Sequence, residues 1–228
     1  MKCYEKSVIF DMDGVVVNTE PIGYGANQKM YKALGITVPD DVYATFIGNS
    51  DKNIIQKLKD LYPIEKTHEE LLEEKYKYYF EAFDKAEDLA LLPGVKDLIV
   101  NLHTNGMKLL LASSASKRKI EKVFTRFGLH PYFDATISGE DFEFSKPNPA
   151  IFLEAVERSG FTKEECVIIE DSTNGIKAAK AAGVYCIGYK SEHSMGQDTS
   201  LADKVITDLR KLDFEKIQKL APQPPKGE

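Results

Sequence analysis

The feature that most constrains the fold is a series of short apolar runs that alternate with segments of helical periodicity. Strand-like runs lie near residues 7–10, 108–112, 135–137, 167–169, 185–187 and 204–206. Parallel strands need long crossover connections, usually helices, so this alternation is typical of a parallel sheet with helices on both faces. We therefore predict an α/β fold.

One long interval breaks the alternation. From about residue 18 to residue 92 the pattern is helical throughout, with one apolar stripe over Ile54, Ile55, Leu58 and Leu61 and another over Leu72, Tyr76, Tyr79, Phe80 and Phe83. We interpret residues 18–92 as an all-helical cap domain, with the aromatic stripe in its core. Residues 1–17 and 93–220 would then form a Rossmann-like catalytic core, and the Pro-rich residues 221–228 a disordered tail.

Polar residues follow three of the apolar runs. Asp11 and Asp13 follow the first run, Ser113 the run near 108–112, and Glu170 with Asp171 the run near 167–169. Open parallel sheets bind ligands at the carboxyl edge of their strands, so these side chains are expected to form one site. An Asp-x-Asp pair taken alone is weak support for catalysis, because surface loops are rich in such pairs.

The order of these motifs resembles that of the haloacid dehalogenase superfamily, in the branch that holds beta-phosphoglucomutases and small sugar-phosphate phosphatases. The similarity runs over nearly the whole chain. It rests on four motifs in sequence order: 11–15 (DMDGV), Ser113, Lys146 with Pro147, and 170–179 (EDSTNGIKAA).

The resemblance implies different catalytic roles for the two aspartates of the first motif. Asp11 would attack phosphorus and form an aspartyl phosphate, which splits one slow step into two easier ones. Asp13 would protonate the leaving oxygen and then deprotonate the attacking water, for which its pKa must be raised.

The remaining motif residues would supply positive charge and hydrogen bonds. A magnesium ion held by Asp11, the main-chain carbonyl of Asp13 and Asp171, with Glu170 in or just behind the first shell, would offset repulsion between nucleophile and phosphate. Lys146 would add a point charge near the transferred group. Ser113, or Ser114 one position later, would donate hydrogen bonds to phosphate oxygens.

Each motif also has a structural interpretation that the sequence leaves open. The serines at 113, 114 and 116 can cap the helix that contains Ile120 and Phe124, and a lone lysine is most often solvated. Likewise Ser172, Thr173 or Asn174 can cap the helix that Gly183 ends, and Gly175 can let that helix approach the sheet. None of these alternatives accounts for the joint order of the motifs.

Substrate choice would depend on the cap, where the sequence departs from the beta-phosphoglucomutases. The positions that hold a cap histidine and a cap arginine in those relatives are Gly23 and Asp51 here, and Asn18 stands where many relatives have aspartate. Asp51 also cannot supply the Schiff-base lysine of phosphonate-cleaving relatives. The candidate substrate contacts in the cap are Glu20, Gly48, Asn49 and Asp51, although Asn49 or Ser50 can equally begin a helix.

Composition limits the partners. A net charge of −6 and a pI near 5.4 argue against a nucleic-acid surface, and no apolar run approaches the length of a membrane span. Three scattered cysteines, Cys3, Cys166 and Cys186, favour a reducing cytoplasm over a disulfide framework. We expect a monomer that binds a small phosphorylated metabolite, and we assign no chemistry to the four histidines.

The function predicted from these features is that of a magnesium-dependent phosphatase acting on a sugar phosphate or similar metabolite through an aspartyl-phosphate intermediate. A beta-phosphoglucomutase-like phosphomutase is the alternative enzyme. A phosphometabolite-binding regulator without turnover is the alternative of another class.

Overall fold

The central sheet has the predicted parallel architecture. The computed structural model describes residues 6–47, 49–192, 194 and 196–220. In this part of the chain six strands form one sheet in the order β3-β2-β1-β4-β5-β6, and every neighbouring pair is parallel. The strands are β1 Ser7–Phe10, β2 Lys108–Ser113, β3 Ala135–Ser138, β4 Cys166–Glu170, β5 Tyr185–Tyr189 and β6 Lys204–Ile206.

Alternating side chains of each strand enter two different apolar clusters. Val8 and Phe10 of β1 pack on one face of the sheet, whereas Ile9 packs on the other, as the two-residue period of a strand requires. The helices that cover the sheet are α5 Val95–Thr104, α6 Lys117–Phe127, α7 Ala150–Ser159, α8 Thr173–Ala182 and α9 Phe214–Leu220. The α/β fold with both faces covered is therefore confirmed.

Four helices lie in the long connection that follows β1. They are α1 Glu20–Leu34, α2 Asp40–Ala44, α3 Asp51–Leu61 and α4 His68–Lys85. Met30, Tyr31, Ile55, Leu58 and Leu71 from these helices form an apolar cluster separate from the two on the sheet. These helices match the predicted all-helical interval, while the boundaries at residues 18 and 92 stay a prediction.

The aromatic stripe of α4 is placed differently from the prediction. Tyr79 and Phe83 do not join the apolar cluster of the first four helices. They pack instead in the large cluster that includes Val16 and Val17, which follow β1. Leu72 of the same stripe packs on the helical cluster, so α4 contributes side chains to both clusters.

Some predictions fall on residues outside the described ranges. They concern Cys3, Gly48, His193 and the tail 221–228. Among the helices that are described, none is long and apolar enough to cross a membrane.

Candidate active site

The sheet register brings three strand ends to one edge. Phe10 at the end of β1 pairs with Leu111 of β2 and with Ile169 of β4. Asp11 then continues the ladder, since its N–H donates to the carbonyl of Ile169 at 3.0 Å. The residues at the carboxyl ends of these strands, including Ser113, therefore lie next to one another, as the strand pattern predicts.

The residues at this edge line one pocket of about 280 Å³, slightly smaller than typical small-molecule pockets of roughly 300–1,000 Å³. The pocket opens between the sheet edge and the helices that follow β1. Its lining includes the predicted catalytic, phosphate-binding and metal-ligating residues, which are Asp11, Asp13, Ser113, Ser114, Lys146, Glu170 and Asp171.

Lys146 is the cation at the centre of the pocket. Its Nζ lies 2.6 Å from Asp11 Oδ1 and 2.8 Å from Glu170 Oε1, and it also donates to the carbonyl of Ala112 at 3.2 Å. The side chain is almost fully buried. Burial alone would lower its pKa, but the two carboxylates outweigh this effect and raise the pKa above its ordinary value. Lys146 is therefore a charged, fixed group rather than a solvated surface lysine.

Two neighbouring carboxyl groups are hard to ionise without further positive charge. Burial raises the pKa of Asp11 to about 8, although Lys146 opposes the shift. Burial, with the nearby Glu170 and Asp11 carboxylates, also raises the pKa of Asp171 well above its ordinary value. A cation between Asp11 and Asp171 would relieve both effects, and these oxygen donors suit Mg²⁺.

Glu170 has both carboxylate oxygens engaged within the protein. Oε1 accepts from Lys146, while Oε2 accepts from the N–H of Ser172 at 2.7 Å and from its hydroxyl at 3.0 Å. The same hydroxyl accepts from the N–H of Gly175 at 3.0 Å, so Ser172 is the N-cap of α8. Glu170 thus holds Lys146 and the start of α8 in place.

Asp13 lies on a tight turn that follows β1. Gly14 adopts a φ of +84°, and the N–H of Gly14 donates to the carbonyl of Val17 at 2.8 Å. The Thr19 hydroxyl donates a hydrogen bond to Asp13 Oδ1. Desolvation raises the pKa of Asp13, and the Thr19 hydrogen bond opposes that shift. Asp13 is therefore held in one orientation with a raised pKa, as proton transfer requires.

The serines after β2 divide between the two predicted roles. Ser116 is the N-cap of α6, because its hydroxyl accepts from the N–H of Lys119 at 3.4 Å. Ser113 is buried in the pocket wall, and its hydroxyl accepts from the N–H of Ala115 at 3.1 Å. Helix capping thus explains Ser116 and leaves Ser113 and Ser114 as candidates for phosphate binding.

The helical segment contributes the opposite wall of the pocket. Of the predicted cap contacts, Glu20, Asn49 and Asp51 line it, whereas Gly48 is outside the described residues. Ser50, one of the two predicted alternatives, caps α3 by accepting from the N–H of Asn53. The N–H of Ser50 donates at 2.8 Å to Ser145, the residue before Lys146, and so ties α3 to the catalytic edge.

Sequence reasoning missed two lysines of the pocket. Lys75 of α4 and Lys119 of α6 are buried and line the pocket, and both form ion pairs with Asp51. Lys75 lies four residues after Leu71 and four before Tyr79, so it places a charge on the buried, otherwise apolar face of α4. That charge was the available signal, although a lone lysine on a helix is usually solvated.

Comparison with known proteins agrees with this geometry. The sequence profile of the haloacid dehalogenase-like hydrolases matches residues 8–189. A phosphorylated carbohydrates phosphatase of Thermotoga maritima is 29% identical over 202 residues, which cover 87% of this chain and 90% of that protein. The solved structure of a beta-phosphoglucomutase from Clostridium difficile superimposes with a TM-score of 0.83 at 27% identity, over 96% of this chain and 97% of that one.

A third match is to part of a larger protein. The SUPPRESSOR OF QUENCHING 1 protein of Arabidopsis thaliana is 30% identical over 204 residues, which cover 89% of this chain but only 19% of that protein. The profile match spans most of the chain and contains the strand ends that build the pocket. We conclude that this chain belongs to the haloacid dehalogenase-like hydrolase family.

Proposed function

We propose that this hydrolase is a phosphatase that removes the phosphoryl group from a small phosphorylated carbohydrate. The observation that carries the proposal is the contact of Lys146 with Asp11 inside a strand-end pocket that also holds Asp13. A buried ammonium group beside a carboxylate, with a second carboxyl group two residues away, is suited to binding and transferring a phosphate dianion. The similarity to the Thermotoga phosphatase supports a carbohydrate substrate.

In the first step an oxygen of Asp11 attacks phosphorus, and the bond from phosphorus to the leaving oxygen breaks. Asp13 in its acid form gives its proton to that oxygen, and the alcohol leaves. In the second step water attacks the aspartyl phosphate while Asp13 takes back a proton. Inorganic phosphate leaves, and the Asp11 carboxylate is restored. The raised pKa of Asp13 supports its role as the acid.

We propose that Mg²⁺ is the cofactor, held by Asp11, the main-chain carbonyl of Asp13 and Asp171. When bound, it would offset the negative charge of the phosphate and of the carboxylates. Among the residues that the structure describes, no three His, Cys, Asp or Glu side chains form a complete metal site. Glu170, whose oxygens are both engaged, would act from behind these ligands by orienting Lys146.

The helices α1–α4 would form the cap that closes the pocket and excludes water. Their link to the catalytic edge through Ser50 and Ser145 supports this role. A cytoplasmic location is also part of the proposal, since Cys166 and Cys186 are buried free thiols.

A phosphomutase is the second candidate, favoured by the similarity to the Clostridium difficile structure. A mutase returns the phosphoryl group from the aspartate to a sugar, so it needs a sugar bisphosphate as primer. A phosphatase passes the group to water and gains nothing from the primer.

The deciding experiment measures phosphate release with Mg²⁺ from sugar phosphates, nucleotides, pyrophosphate and p-nitrophenyl phosphate. The Asp11→Asn variant is the control, with circular dichroism to verify its fold. We expect one carbohydrate phosphate to dominate and Asp11→Asn to lose on the order of 10³-fold or more in kcat. Full activity of Asp11→Asn would refute the nucleophile assignment. Sugar isomerisation that depends on added bisphosphate would identify the mutase, and silence in both assays would favour a non-catalytic binder.

A further inference from the structure

Three buried charged side chains form a cluster on the cap side of the pocket. Asp51 at the start of α3 accepts from Lys75 of α4 at 2.6 Å and from Lys119 of α6 at 2.9–3.0 Å. All three residues line the pocket, and Lys75 is only 2% exposed. The phosphoryl-transfer steps described above do not use this cluster, because Lys146 is the ammonium group that contacts Asp11 and Glu170.

The charge of Asp51 is stable near neutral pH. Burial alone would raise its pKa, but Lys119 and Lys75 outweigh burial, and the pKa lies well below its ordinary value. Each ammonium group has three hydrogen atoms to donate, so pairing with Asp51 leaves donors for other oxygen atoms. The lysines can therefore still donate to hydroxyl groups of a ligand, while Asp51 matches one of their two positive charges.

Burial and Glu20 limit the positive potential at this end of the pocket. Burial lowers the pKa of Lys75, which weakens the one positive charge that Asp51 leaves unmatched. Glu20 lines the same pocket and interacts electrostatically with both lysines, and burial raises its pKa to about 7, so it adds negative charge above neutral pH. A second anionic group entering here would meet the Asp51 carboxylate directly behind the lysines and would find little net attraction.

We propose that Asp51 is a specificity-determining residue, which restricts the pocket to phosphate monoesters with a neutral, hydroxyl-bearing tail and disfavours substrates with a second anionic group. This inference rests on the proposed phosphatase function and narrows its substrate class. Like-charge repulsion by a fixed, buried carboxylate is a common way to reject a competing ligand. The small volume of the pocket would keep the tail of a substrate close to this cluster.

The test uses pairs of substrates that differ only in the charge of the tail. Sorbitol 6-phosphate and 6-phosphogluconate form one pair, and glycerol 3-phosphate and 3-phosphoglycerate form another. We expect kcat/KM of the wild-type protein to favour the neutral member of each pair at least tenfold. In Asp51→Asn the two lysines lose their counter-charge, so the preference should fall at least tenfold or reverse.

Two further variants serve as controls for the Asp51→Asn experiment. Asp60→Asn changes an exposed aspartate of the same helix and should leave the preference unaltered. Lys119→Gln removes a positive charge but keeps Asp51, so it should strengthen the preference for the neutral member. This variant tests the inference even if Asp51→Asn fails to fold. An unchanged ratio in Asp51→Asn, or equal use of both members by the wild type, would overturn the inference.

Binding measurements test this inference separately from the proposed activity. Calorimetry with Asp11→Asn and with the Asp11→Asn, Asp51→Asn double variant measures affinity for the same pairs without turnover. The wild type could hydrolyse none of the phosphate esters while Asp11→Asn still binds the neutral member of each pair at least tenfold more tightly than the acidic member. That result would refute the proposed activity and support the role of Asp51. Equal binding of both members to Asp11→Asn would refute the role of Asp51.

Discussion

Gly175 lies so close to Glu170 that a methyl group on Gly175 would place its carbon 1.7 Å from Oε1 of that carboxylate. Such a contact cannot exist without movement of the carboxylate. Glu170 in turn holds Lys146 at 2.8 Å. A residue on α8 with no chemistry of its own therefore controls the position of the central cation.

Gly175→Ala is accordingly predicted to destabilise the protein, although alanine is the better helix former. Propensity alone favours alanine by about 1 kcal/mol, whereas displacing a packed, buried group costs roughly 1–3 kcal/mol. We expect a lower free energy of unfolding in urea and a lower kcat. Gly25→Ala is the matched control, because Gly25 lies within α1 and a methyl group there meets nothing within 4 Å. Equal gains in stability from both substitutions would contradict the prediction.

Lys146→Gln should impair both stability and catalysis. Removing the ammonium group leaves Asp11 and Glu170 facing each other in a buried site, and breaking a buried ion pair costs about 3–5 kcal/mol. We expect kcat/KM to fall on the order of 10²-fold or more, because a charge that stabilises the transition state is lost. Urea unfolding and phosphate release measure the two effects. Lys177→Gln, at an exposed position of α8, should change neither.

The stability of the metal-free protein should decrease as the pH rises. Burial raises the pKa of Asp11 from 3.8 to about 8, so the folded protein holds a proton that the unfolded chain has already lost. The stabilisation from this proton is complete below the unfolded pKa and is lost as the pH rises to about 8. In EDTA, urea unfolding should therefore give a larger free energy at about pH 6 than at about pH 8.5.

Two comparisons accompany this pH experiment. Asp11→Asn cannot titrate at this position, so its free energy of unfolding should depend less on pH. Protons compete with Mg²⁺ for Asp11, so added Mg²⁺ should stabilise the wild type more at the higher pH. A wild-type stability in EDTA that is the same at both pH values would contradict the assigned shift.

Thr19→Val should alter the pH profile of the reaction. The Thr19 hydroxyl donates to Asp13 and lowers its pKa, so removing the hydroxyl should raise that pKa further. Asp13 must carry its proton to act as the acid, and the alkaline limb of kcat/KM should move to higher pH. Thr19→Ser keeps the donor and should restore the parental profile. A profile for Thr19→Val identical to that of the wild type would exclude this role.

The strand-end residues of the site and their order along the chain could be predicted without the structure. Asp11, Asp13 and Asp171 were predictable because apolar periodicity marks the strands, and the carboxyl ends of parallel strands meet at one edge. Lys146 lies in the loop before α7, and its role was predicted from the family resemblance. The structure brings all four residues to one pocket. The N-cap serines Ser116 and Ser172 likewise follow from local patterns.

The surroundings of those residues depend on how distant elements pack in the folded chain. Lys75 and Lys119 are distant from Asp51 in the chain, and their pairing arises where α3, α4 and α6 pack together. The same packing placed Tyr79 and Phe83 against the sheet unit rather than within the helical cluster. Local periodicity shows which face of a helix is apolar, but it does not specify which distant element covers that face or which buried charge meets its partner there.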